Sequence, residues 1–308
     1  MKRKYRLVTR SDMDGLVCAV LLKELNVINS IKFVHPKDMQ DGKIEITGGD
    51  ITTNLPYNPK AYLVFDHHES ELIRNSQKDN YIIDINAPSA ARIVYDYYGG
   101  KDAFPRVTDE MMNAVDKADS AQFTIEDVLN PEGWELLSFL MDSRTGLGRF
   151  REFKVPNYQL MMNLIDYCVT HSIENIFQLQ DIKERVELYK KYEDKFKEQL
   201  KRCSKVYGNL VVLDLREEKI IYPGNRFMIY ALFPDTNISI HHIWGFRKQN
   251  QVFATGKSIF NKSSTTNIGK LMLKYGGGGH RNAGTCQIAN DSAEKVLKEL
   301  IEKITSDG

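Results

Sequence analysis

Short apolar runs recur through the first third of the chain, each at strand length and separated by stretches of helical spacing or by glycine-rich turns. They are Leu7–Thr9, Ile31–Val34, Ile44–Ile46, Ala61–Phe65 and Tyr81–Ile83. Between the first two, Leu16, Val20 and Leu21 repeat at helical spacing and predict a helix from Leu16 to Leu25. After the fifth, Pro88 and Ser89 open a helix through Ala90, Ile93, Val94 and Tyr97 that stops at Gly99-Gly100. Strands alternating with helices predict an α/β fold built on a doubly wound, mostly parallel sheet. In such sheets, ligands collect beyond the carboxyl ends of the strands.

Acidic and imidazole side chains fall at those predicted ends. Asp12 and Asp14 follow the first run, Asp50 follows the third after Gly48-Gly49, and Asp66, His67 and His68 close the fourth. Each has a plain structural explanation when taken alone: Asp12-Met13-Asp14-Gly15 reads equally as a helix cap, and Gly48-Gly49 as a turn. Their coincidence at one rim is what points to a ligand site. Asp116 and Asp119, three apart, share a face of a helix or turn. Asp119 is the expected ligand of the two, with Asp116 behind it or at the surface.

Charge and cysteine usage narrow the class. The 308 residues carry a net charge of +1, so no global field draws a polyanion. Cys18, Cys168, Cys203 and Cys286 form no close pair, which argues against a zinc ribbon or a disulfide framework. No apolar run reaches membrane-spanning length and nothing reads as a signal peptide, so a cytoplasmic protein without membrane contact is expected.

Domain boundaries are expected at 1–172, 173–205 and 206–308. Within the first, Asp142-Ser143-Arg144-Thr145-Gly146 could wrap a phosphate through Arg144, and a structural loop explains it as well. Ile182, Val186, Tyr189, Phe196 and Leu200 make one apolar stripe on a charged connecting helix. The last domain is a smaller α/β unit, with strands expected at Leu210–Leu213, Phe227–Phe233, Ile238–Ile243 and Val252–Thr255. Helices are expected at Thr266–Lys274 and from Asp291 onward. Between those helices lies Gly276-Gly277-Gly278-Gly279-His280-Arg281. A plain turn needs one glycine, so the run predicts backbone N–H groups cradling an anion, with His280 and Arg281 adding charge.

The ordered set of Asp12-Met13-Asp14-Gly15, Asp50, Asp66-His67-His68, Asp119 and the Gly276–Gly284 stretch resembles the DHH/DHHA1 phosphoesterases over nearly the whole chain. The resemblance implies a DHH catalytic domain, a helical linker and a DHHA1 substrate-binding domain. It also implies two divalent ions, Mn²⁺ foremost. Asp12 would hold one ion, Asp14, His67 and Asp119 the other, and Asp50 would bridge them. Asp66 would orient His67, and His68 would face the scissile phosphate. Gly277, Gly278, Gly279, His280 and Arg281 would take the far end of the substrate. The sequence departs from the family where many relatives carry a histidine before the first aspartate. Here the positions are Val8, Thr9, Arg10 and Ser11, and Arg10 reads as a phosphate contact or a surface residue.

The expected activity is metal-dependent hydrolysis of short 5′-phosphorylated oligoribonucleotides or linear dinucleotides to mononucleotides by activated water. Exopolyphosphatase activity is the enzymatic alternative, and a non-catalytic nucleotide-binding module is the alternative of another class. A homodimer is left open.

Overall fold

The computed structural model describes residues 3–68, 71, 75, 78–150 and 153–308; Glu69, which follows the two histidines, lies outside them. Two compact units result: Met1–Phe123 with Pro131–Leu188, and Thr124–Asn130 with Tyr189–Gly308.

The first unit is built on five parallel strands. They are β1 (Tyr5–Arg10), β2 (Ile28–Val34), β3 (Asp50–Thr53), β4 (Leu63–Asp66) and β5 (Tyr81–Ile83), in the order β2-β1-β3-β4-β5. Neighbouring residues on β1 separate to opposite faces. Leu7 joins Ile51 and Phe65 beneath the helices Met13–Glu24, Ala90–Tyr97 and Asp109–Asp119. Val8 joins Val34, Met39, Ile46, Leu55, Val64 and Tyr81 on the other side. Burial on both faces is why Leu7-Val8 and Leu63-Val64-Phe65 read as continuous apolar runs rather than alternating ones. The chain leaves β1 toward β2 on one side and returns to β3 on the other. The expected ligand crevice therefore opens between the carboxyl ends of β1 and β3.

One strand lies later than the sequence predicts. Ile44–Ile46 is irregular backbone whose Ile46 is buried, and β3 starts instead at Asp50. The Asp50 carboxylate takes the Arg6 guanidinium at 2.7 and 3.0 Å and the Thr47 N–H at 2.7 Å, fixing the strand's first residue. Asp50 thus stands at a strand entry, on the edge of the sheet opposite the crevice.

The second unit holds a six-stranded sheet, antiparallel except between β7 and β8. Its strands are β6 (Ser204–Tyr207), β7 (Leu210–Asp214), β8 (Ile238–Trp244), β9 (Gln251–Lys257), β10 (Gly278–His280) and β11 (Ala283–Ile288), ordered β10-β11-β9-β8-β7-β6. Ile238, Ile240 and Phe253 are buried with Ile268, Met272, Leu300 and Ile304 of the helices Ile268–Leu273 and Ala293–Asp307. The stretch expected as a strand at Phe227–Phe233 is the helix Met228–Leu232, which packs on the helix Ile125–Leu129. A short continuous apolar run suits a buried helix and a buried strand alike. Here the Asn225 side chain accepts the Phe227 N–H at 2.9 Å and turns the chain into the helix. The helix Gln180–Cys203 carries the chain from the first unit into the second. No helix among the described residues is long and apolar enough to cross a membrane.

Candidate metal centre

Where β1 ends, the backbone of Asp12 is extended and its carboxylate caps the next helix, accepting the Gly15 N–H at 3.0 Å. Gly15 is required there, since a Cβ would fall 1.9 Å from the Arg10 carbonyl oxygen. Asp14, in the first helical turn, is 1% exposed and points back across the sheet end. Its carboxylate accepts the N–H groups of Ala90 at 3.0 Å and Ala91 at 2.7 Å, so it sits on the amino end of a second helix, where the dipole favours an anion. Burial nevertheless pushes its carboxyl up to about 8, with the neighbouring Asp119 charge adding to the effect.

His67 leaves β4 on the same side. Its Nδ1 lies 3.3 Å from the Ala87 carbonyl oxygen, and its Nε2 lies 2.8 Å from Asp119 Oδ2. Burial works against the charged ring, but Asp119 outweighs it, with Asp14 adding, and His67 rises to about 9. Asp119 is shifted the other way: burial opposes ionisation, yet the facing His67 holds its carboxyl below the usual range. Ligand atoms of Asp14, His67 and Asp119 all lie within 4.8 Å of one another, close enough to hold a metal ion. The buried His67 Nε2 has no well-aligned hydrogen-bond partner, although a carboxylate oxygen is beside it. A cation between an imidazole and two carboxylates would satisfy all three, and a set of one nitrogen and two oxygens suits Mn²⁺, Mg²⁺ or Fe²⁺. The three residues fit an ion.

The other predicted residues are arranged differently. Asp66, wholly buried, does not orient His67: its Oδ1 lies 2.7 Å from His68 Nδ1, and Tyr81 OH lies 3.4 Å from its Oδ2. Extended backbone puts residues two apart on one face, so the Asp66–His68 pairing was available from the spacing. For His68, burial opposes the charged form, but Asp66 outweighs it and raises the ring above its ordinary range. Asp12 stands outside the trio, its Oδ2 at 2.8 Å from Arg10 Nε and its Oδ1 accepting Asn54 Nδ2 at 3.2 Å. Asp50 is across the sheet and cannot bridge ions at the crevice. The residue that β3 does deliver there is Asn54, 1% exposed with φ +53°, which the sequence reading passed over because a neutral amide announces no chemistry.

Arg144 is gripped by Asp142 through Nε at 2.7 Å and Nη2 at 2.7 Å, and its charge is felt by Asp12 and Asp119. Asp116 turns away from the trio to accept Ser89 Oγ at 2.7 Å and Arg92 at 2.9 and 2.5 Å. Ser89 in turn caps the helix whose amides hold Asp14.

In the second unit the glycine run is not the turn that was expected. Gly278, Gly279 and His280 form the edge strand β10, paired with Thr285, Gly284 and Ala283. Gly279 has φ +154°, and a Cβ on it would meet the Ala283 carbonyl oxygen at 2.2 Å. Close packing of backbone on backbone therefore accounts for Gly277 and Gly279, whereas a Cβ on Gly276 or Gly278 would meet nothing within 4 Å. His280 and Arg281 are exposed at the strand's end, and Arg281 contributes to lowering Lys257, where burial is the larger cause.

No family model matches the chain. A solved pGpG-specific phosphodiesterase, PggH from Vibrio cholerae, is 64% identical over 99% of this chain and 100% of its own, with a TM-score of 0.88. The DHH domain of a member of the s1p family of ribosomal proteins shares the fold at 11% identity, covering 99% of this chain and 87% of its own with a TM-score of 0.59. A curated relative, the A-adding tRNA nucleotidyltransferase of Aquifex aeolicus, is 26% identical over 181 residues, 56% of this chain. That match spans only 20% of the relative's length.

Proposed function

The chain belongs to the DHH/DHHA1 phosphoesterases, hydrolases that act on phosphodiester bonds, and we propose that it cleaves linear dinucleotides and oligoribonucleotides of a few residues, pGpG foremost, to mononucleotides. The observation that carries this reading is the convergence of Asp14, His67 and Asp119 around a buried imidazole nitrogen with no well-aligned partner. The full-length likeness to a pGpG-specific phosphodiesterase supports the substrate class.

In this reading Asp14, His67 and Asp119 hold a divalent ion, Mn²⁺ by preference. Such an ion supplies Lewis acidity, making water nucleophilic near neutral pH and offsetting charge on phosphoryl oxygens. The Ala87 carbonyl fixes the His67 ring by its Nδ1–H, and the amides of Ala90 and Ala91 fix Asp14. We assign His68 to a non-bridging oxygen of the scissile phosphate. Its Nδ1 lies 2.7 Å from Asp66 Oδ1, and that carboxylate outweighs burial and raises the ring above its ordinary range, which favours the protonated form able to donate. Hydrolysis of pGpG consumes one water. Its oxygen forms a new bond to phosphorus, the bond from phosphorus to the ribose 3′ oxygen breaks, and one water proton ends on that leaving alcohol. Gly277, Gly278, Gly279, His280 and Arg281 are assigned to the substrate's phosphate end. Four free thiols at Cys18, Cys168, Cys203 and Cys286 support a cytoplasmic setting.

Incubation of the metal-stripped protein with pGpG, with and without Mn²⁺, tests the proposal by chromatography of the products. The expected result is Mn²⁺-dependent GMP and nothing else. Phosphate release from polyphosphate with pGpG untouched would favour the exopolyphosphatase reading. Binding of pGpG without turnover under any divalent ion would favour a binding module.

A further inference from the structure

His67 Nε2 is not the only unserved polar atom in the crevice. Asn54, the first residue beyond β3, is 1% exposed, and its Oδ1 is buried with no hydrogen-bond partner among the described residues. Its backbone is fixed: the N–H donates to the Phe65 carbonyl on β4 at 3.1 Å, and φ is +53°, a left-handed conformation that asparagine tolerates better than most side chains. Its Nδ2 donates to Asp12 Oδ1 at 3.2 Å, so the amide lies against the carboxylate that follows β1. The hydroxyls of Thr9 and Thr53 are spent on each other at 2.7 Å. A buried acceptor left unmet by the chain is one that a ligand can serve.

We infer that Asn54 Oδ1 and the Asp12 carboxylate hold a second divalent ion beside the one at Asp14, His67 and Asp119, and that Asn54 is the ligand β3 contributes. The inference rests on the metal-dependent phosphodiesterase reading above. Asp50 stands at the other end of that strand, held by Arg6. Both proposed donors are oxygens, and an amide carbonyl beside a carboxylate suits Mn²⁺ or Mg²⁺. The hydrogen bonds to Asp12 leave room for an ion. A carboxylate offers about four lone-pair sites, and Asp12 spends three, on Arg10 at 2.8 Å, Gly15 at 3.0 Å and Asn54 at 3.2 Å. Asp14 likewise accepts two amides and keeps room for its ion. The Asn54 amide is neutral, so this pair of donors brings one carboxylate where the trio brings two, and the Arg10 guanidinium on Asp12 weakens the pull further. The site at Asp12 and Asn54 is therefore the weaker one, and the ions load in order, the trio first.

Calorimetric titration of the metal-stripped protein with Mn²⁺ tests the assignment independently of turnover. Two ions per chain are expected, one tight and one weaker. Asp14→Asn should lose the tight one. Asn54→Gly, which keeps the positive φ without strain and removes the amide, should lose the weaker ion and retain the tight one. Asn54→Asp, also tolerated at that φ, adds a negative charge and should tighten the weaker site about tenfold or more, since such affinities follow ligand charge. The Mn²⁺ concentration for half-maximal cleavage of pGpG should fall with it. A second ion bound by Asn54→Gly as tightly as by the wild type would overturn the inference, as would a single ion on the wild-type chain. Should Asn54→Gly bind neither ion, Asn54→Asp decides: a tighter second ion upholds the assignment and an unchanged one overturns it. Two ions bound as expected on a chain that leaves pGpG intact would uphold Asn54 as a ligand and overturn the functional reading instead.

Discussion

His68 Nδ1 lies 2.7 Å from the Oδ1 of Asp66, a carboxylate with no exposed surface. The pair separates two jobs that adjacent histidines could have shared: His67 lies with the proposed ion ligands, and His68 is held by a buried carboxylate. Asp66→Asn should therefore lower kcat by about 10–100-fold, the usual cost of losing an outer partner of a site residue. Mn²⁺ affinity, measured by calorimetric titration of the metal-stripped protein, should hold. An equal loss of Mn²⁺ affinity would put Asp66 back behind His67.

Protons compete with a cation for the trio. Asp14, raised to about 8, and His67, raised to about 9, are both protonated near neutral pH and must give up those protons to coordinate. The sign follows: apparent Mn²⁺ affinity rises with pH, about tenfold per pH step for each proton displaced, until the groups ionise unaided. It should level off above about 9, the higher of the two values. Titrations in buffers of different ionisation enthalpy count the protons released. An affinity flat from neutral to alkaline pH would contradict the geometry of the trio.

Asp116 stands at one remove from the proposed ion site. It grips Ser89 and Arg92, and Ser89 caps the helix whose first amides hold Asp14. Asp116→Ala should lower Mn²⁺ affinity by about 10–100-fold through misplacement of Asp14. A variant that kept wild-type Mn²⁺ affinity would show that the helix start holds without it.

Gly279→Ala should destabilise the second unit by about 1–3 kcal/mol, because a side chain is strained at its positive φ and collides with the backbone of β11. Gly276 also has positive φ, +75°, but a Cβ there meets nothing within 4 Å. Gly276→Ala should therefore cost less, about 1 kcal/mol. Urea unfolding of the two variants compares them directly. Equal midpoints would mean that the close strand pairing is not what the glycine serves.

Much of the centre was legible in order along the chain. Asp12, Asp14 and His67 could be read as a group because parallel strands deliver successive exits to one rim, while Asp119, at the end of a helix, joined them through the family resemblance. Asp50 misled because entry and exit look alike in a short β-branched run. What separates them is Arg6, a partner distant in sequence that only the β1–β3 register brings alongside. Asn54 was missed because nothing in a neutral amide marks it until Asp12 is seen to bind it. The glycine run shows a different limit. Composition said that side chains were excluded, but not whether a ligand or a neighbouring strand excluded them.

The short helix Ile125–Leu129 belongs to the second unit, yet it lies in the chain between two parts of the first. During synthesis it emerges well before the helix Met228–Leu232 on which it packs. Val128, wholly buried in the finished protein, cannot reach its place there until the intervening chain is made. A fragment beginning at the start of the helix Gln180–Cys203 would lack this piece from birth. The second unit should therefore be expressed with residues 124–130 supplied, and the ribosome cannot finish either unit without drawing on the other's stretch of message.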